Sequence, residues 1–139
     1  LASLSLVLTG LLISLVHFIT LTQVGTNIDY GAVFTGYLGL AFAGAVYSAV
    51  GIFASSLTDN QVVAFIIGIF IVLIFFLMDK MLMFVPVSLT GIIQYLSVDY
   101  HLSNISRGVI DSRNLIYFAS VVGLFLFMTV RMLEIRRWK

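Results

Sequence analysis

The chain has 139 residues, 61% of them apolar and 9% charged, whereas a soluble domain runs at about 45–50% apolar and about 25% charged. Seven basic and six acidic residues cannot clothe a water-facing globule, so most of the surface has to face lipid. The absence of cysteine excludes disulfides, thiol nucleophiles and Cys-based zinc sites, and a net charge of +1 gives a nucleic-acid partner nothing to bind.

The charges divide the chain. Residues 1–28, 30–58, 60–78 and 114–130 contain no Asp, Glu, Lys or Arg. A hydrocarbon core of about 30 Å needs about 20 apolar residues in a helix, and these gaps supply spans over Leu1–Leu21, Thr35–Ser55, Gln61–Met78 and Asn114–Val130, the last extending through Leu133. The third has 14 Leu, Ile, Phe or Val residues between Val62 and Leu77. At about 0.3–0.6 kcal/mol each, they supply roughly 4–8 kcal/mol of insertion energy as an upper bound. A secretory signal peptide is a poor reading of the first span, which shows no basic leader and no small-residue cleavage site. Starting at Leu1 inside an apolar run, the chain reads as a piece of something longer.

The second span carries Ala41, Gly44, Ser48, Gly51 and Ser55 in steps of three and four, a stripe of small residues that lets another helix come close in lipid. Ala64 with Gly68 and Ala119 with Gly123 are shorter versions. The stripe is expected to be a helix-packing face within the subunit, with a subunit interface or conduit wall as the alternative. His17 is the one imidazole well inside a span. With no acid within a turn, it reads as structural or interfacial rather than as a proton relay.

Residues 22–34 form a turn-rich link and residues 56–60 a tight polar turn. Asp79 to Arg113 is the one substantial extramembrane stretch. Leu89, Ile92, Ile93, Leu96 and Tyr100 recur there at helical spacing, which predicts an amphipathic helix at the interface or packed on the spans, with Pro86 at its start. Asp79 beside Lys80 marks the water boundary. Asp111 or Ser112 is placed to cap the last span. Asp99 and His101 are two conceivable cation ligands, too few for a site. The fold class is therefore all-α: a polytopic bundle of four transmembrane helices plus a short amphipathic outer segment before the last span.

Arg131, Arg136, Arg137 and Lys139 face a single acid, Glu134, in the tail, and the two short links have no Lys or Arg. The positive-inside rule puts the tail and the 56–60 turn in the cytosol, and residues 22–34 and 79–113 outside. Anionic headgroups around Trp138 suffice to explain the basic tail. No zinc-protease helix, nucleophile elbow or phosphate loop occurs, so this stretch does not itself hydrolyse ATP and calls for no cofactor or metal.

Two motifs go further. Gly36 to Gln61, GYLGLAFAGAVYSAVGIFASSLTDNQ, ends in the turn Ser55, Ser56, Leu57, Thr58, Asp59, Asn60 and Gln61. Ile105 to Phe118, ISRGVIDSRNLIYF, contains Ser106, Arg107, Gly108 and Asp111 and runs on to the close RMLEIRRW. In this order they resemble the gliding-motility (GldF-like) permeases of the type-2 ABC transporter permeases. The resemblance implies a bacterial inner-membrane exporter subunit with six spans, paired with a second permease subunit and driven by a separate ATP-binding subunit docked between spans two and three. Residues 1–139 would then be the C-terminal part, spans three to six, with the docking segment missing. A non-transporting polytopic scaffold is the alternative, and a fragment of a secondary transporter another; the latter would show an intramembrane acid–base pair or broken spans.

Overall fold

In the computed structural model, residues 2–25, 28–108 and 111–137 are described, without the Asp79 side chain. They form six helices and no strand: α1 (Ala2–Val24), α2 (Tyr30–Leu57), α3 (Gln61–Met81), α4 (Val87–Leu96), α5 (Val98–Ser106) and α6 (Ser112–Arg137). Four of these, α1, α2, α3 and α6, are long and apolar enough to cross a membrane. The chain is thus an all-α bundle of four membrane-length helices with two short helices before the last.

Helix ends are set by capping. The expected link over 22–34 shortens because both flanking helices grow into it. Thr22 satisfies its hydroxyl on the Ile19 carbonyl inside α1, and Asp29 Oδ1 accepts from the Gly31 and Ala32 amides to start α2. Asn27 lies outside the described residues. At the next turn Asn60 Oδ1 accepts from the Val62 and Val63 amides at 2.9 and 3.4 Å and begins α3. Asp111, the first of the two expected caps, accepts from the Arg113 amide at 3.0 Å ahead of α6.

The hub is α2, against which α1, α3, α5 and α6 all pack, whereas α1 packs on α2 alone. Its buried face runs through Gly39, Ala43, Val46, Val50 and Ala54, small enough to let neighbours close in. Phe42 stacks on Phe118 of α6 at 5.8 Å between ring centroids, and Phe53 and Phe75 both meet Phe125. Ser14 of α1 hydrogen-bonds with the Tyr37 hydroxyl at 2.9 Å. No residue of α1 is buried, and large apolar side chains such as Leu12, Val16, Phe65 and Phe70 stand exposed, as lipid-facing helices require.

The stretch before α6 departs from expectation. The single amphipathic helix is two helices broken at Ser97, and only the first starts where expected, behind Pro86. Of the two expected placements, at the interface or packed on the spans, α5 takes the second. Val98 and Ile105 of α5 share a buried cluster with Ala43, Val46, Tyr117 and Phe118. A Cβ on Gly39 would lie 2.9 Å from Leu102 Cδ1, so α5 rests directly on the α2 backbone there. Gly39 and Val46 lie about 13 and 24 Å along α2 from its first residue, so α5 packs toward the N-terminal half of that helix. Leu89 and Ile92 of α4 remain exposed beside it.

Candidate functional site: a helix wall between two ends

A chain break buried among helices has to satisfy its backbone groups within the protein, because solvent does not reach it. Ser97, fully buried, does part of this: its amide donates to the Ile93 and Gln94 carbonyls and its Oγ accepts from the Tyr100 amide. The carbonyls of Tyr95 and Leu96 would otherwise be orphaned. The first lies 2.9 Å from His101 Nε2, and the second accepts from the Tyr117 hydroxyl at 2.5 Å. His101 stacks on the Tyr117 ring at 3.9 Å and its Nδ1 lies 2.7 Å from the Asn114 amide. One imidazole, 2% exposed, therefore ties α4, α5 and α6 together. A role for His101 beyond cation binding went unread in the sequence; the usable signal was Ser97 followed by Asp99, a cap with an acid in the first turn. No group of three or more potential metal ligands occurs among the described residues.

The opposite end is held by the turn motif. Thr58 Oγ1 accepts from the Asn60 amide, Asn60 caps α3, and Asp59 forms an ion pair with Arg136, which also donates to the Ser56 carbonyl at 3.2 Å. The turn and the basic tail thus share one end of the bundle. Ser56 is buried with its Oγ on the Phe53 carbonyl, Leu57 and Thr58 are half-buried, and Gln61 opens α3. Trp138 and Lys139 lie outside the described residues.

Between these ends, the small-residue stripe of α2 takes a position of its own. It is turned by about 100° from the buried face, one residue's advance along the helix. Gly44 is the close contact: a Cβ there would fall 2.5 Å from Val7 Cγ1 of α1. Ala41 lines the seam with α1 above it. Below, Ser48 is half-buried, Ser55 is exposed, and nothing lies within 4 Å of the Gly51 Cβ position. Tyr47, Gly51 and Ser55 form a wall shared by two grooves, one of about 790 Å³ against α3 and one of about 750 Å³ against α1 and α6. Of the shorter pairs, Gly68 meets Ala54 at 3.5 Å, while Ala119 and Gly123 are exposed. His17 is exposed on α1 beside a separate seam with Tyr37.

The second motif is not gathered into one place. Ser106 hydrogen-bonds back to the Ser103 carbonyl, Arg107 ends α5, Gly108 takes φ +86° where a side chain would strain, and Asp111 caps α6. These residues shape the return from α5 to α6; residues 109 and 110 lie outside the described residues. No family, curated protein or solved structure matches this chain.

Proposed function

We propose that this chain is the C-terminal part, spans three to six, of a permease subunit in an ABC exporter, driven by a separate ATP-binding protein and paired with a second permease subunit. The observation that carries the reading is the α2 wall, where Tyr47, Gly51 and Ser55 separate two open apolar grooves. A mover of cargo needs no reactive group. It needs helices with two alternative packings whose balance a partner can tip, and the small Gly51 and Ser55 beside Tyr47 leave neighbouring helices room in which to shift. The likeness of the Ser55 to Gln61 turn and of the Ser106 to Asp111 stretch to gliding-motility permeases supports the same reading, and with it a bacterial inner membrane and a cytoplasmic tail.

The test uses the full-length protein, tagged and isolated from its host membranes in mild detergent. The expected result is an ATP-binding subunit that copurifies in stoichiometric amount and an ATPase activity abolished by vanadate. A stable membrane complex with no nucleotide-binding protein and background hydrolysis overturns the proposal in favour of a scaffold.

A further inference from the structure

The end of the bundle where α6 begins contains a pocket unlike the apolar grooves along α2. It measures about 300 Å³ and is lined by His101 and Asn114, the aromatic Tyr95 and Tyr100, and the charged Asp111 and Arg113. Two observations mark it as built to receive something. First, Asp111 and Arg113 carry opposite charge two residues apart and line one cavity, yet neither side chain forms an ion pair with the other or with any other described residue. The Asp111 carboxylate takes only the Arg113 backbone amide.

Second, Asn114 is 4% exposed and its amide is half used. The Tyr95 carbonyl can only accept, so His101 Nε2 carries a proton, and Nδ1 engages one end of the Asn114 amide. The other end has no partner among the described residues. Since no enclosed side-chain polar atom among the described residues is left unpaired, that end opens onto the cavity Asn114 lines.

We propose that this pocket seats a zwitterion, with an ammonium group between Asp111 and the tyrosine rings and a phosphate on the Arg113 guanidinium. Charge logic selects the class. A lone anion would meet Asp111, a lone cation would meet Arg113, and a neutral ligand would desolvate both charges without pairing either. Aromatic faces add attraction for the cation, and a guanidinium suits a phosphate. The source is a lipid headgroup of the phosphatidylethanolamine type. Tyr30, Tyr95 and Tyr100 stand at this end of the bundle, the level at which amphipathic rings sit at a membrane interface, and exposed Leu89 and Ile92 of α4 offer acyl chains an apolar flank. Headgroup binding here stands apart from any transport of cargo.

Calorimetric titration of the full-length protein in nonionic detergent tests this with three probes: short-chain phosphatidylethanolamine, short-chain phosphatidylglycerol and O-phosphoethanolamine. The expected result is one saturable site for phosphatidylethanolamine, with phosphatidylglycerol weaker by about tenfold or more, the worth of a charge-assisted hydrogen bond. Arg113→Gln, at an exposed position, and Asp111→Asn, which keeps the cap, each weaken phosphatidylethanolamine by a similar factor. Equal binding of both lipids, or no loss in the Arg113→Gln protein, overturns the proposal. Binding of O-phosphoethanolamine as tight as that of the lipid overturns the lipid assignment.

Discussion

At the scale of single residues, the two glycines of the α2 stripe separate what the sequence alone merges. Both were legible as small residues at helical spacing, but only the fold distinguishes them. Gly44 has Val7 where its Cβ would be, and Gly51 has open space. Gly44→Leu is therefore expected to push α1 off α2 and lower the thermal stability of the detergent-solubilised protein. Gly51→Leu is expected to leave that stability within about 0.5 kcal/mol, as for an unconstrained surface change, while filling the wall between the grooves and, under the proposed exporter function, cutting the ATPase activity of the complex. Parallel thermal unfolding and ATPase measurements on the two variants decide this, and equal destabilisation would refute it. Tyr117→Phe is a complementary case. It removes one hydroxyl and orphans the Leu96 carbonyl at the hairpin break, for an expected loss of about 1–2 kcal/mol in an unfolding titration.

At the scale of elements, the long helices were readable because ionisable residues are excluded from lipid, so charge-free gaps mark spans without any knowledge of packing. Their ends were less readable. Polar Thr22 and Gln23 look like loop residues, yet Thr22 repays its hydroxyl within the helix and α1 continues to Val24. The α4–α5 break escaped because Leu89, Ile92, Leu96 and Tyr100 keep a helical period across it. What enforces the break is tertiary: His101, Asn114 and Tyr117 accommodate the carbonyls and ring, and no local pattern announces them. The turn motif shows the same division between local and distant causes. Asn60 caps α3 through two short-range bonds, so Asn60→Ala is expected to cost about 1 kcal/mol. The Asp59 side chain is 92% exposed, so its ion pair with Arg136 contributes little in water, and Asp59→Ala is expected to cost about half as much or less. Chemical unfolding of the two variants ranks them, and the reverse order would mean that the tail clamps the turn.

At the scale of the whole molecule, the arrangement puts a prediction about sidedness within reach, because residues 1–139 contain no cysteine and any elsewhere in the full-length protein can be replaced by serine. The Asp59–Arg136 pair fixes the turn and the tail at one end of the bundle, and the α4–α5 hairpin stands at the other. Basic residues concentrated at the tail favour the cytoplasmic side for that end. A single cysteine replacing exposed Asp59 in the full-length protein is then expected to react with a membrane-impermeant maleimide only after the cells are opened, whereas one replacing exposed Ser106 reacts in intact cells. A third replacement, Ser97→Cys, tests the packing of the hairpin. Ser97 is fully buried where α5 leans on α2 and α6, so the reagent reaches it from neither side until the protein is unfolded. Labelling of Ser97→Cys in intact cells would mean that α5 does not pack on α2 and α6, and reaction at Asp59→Cys in intact cells would invert the bundle.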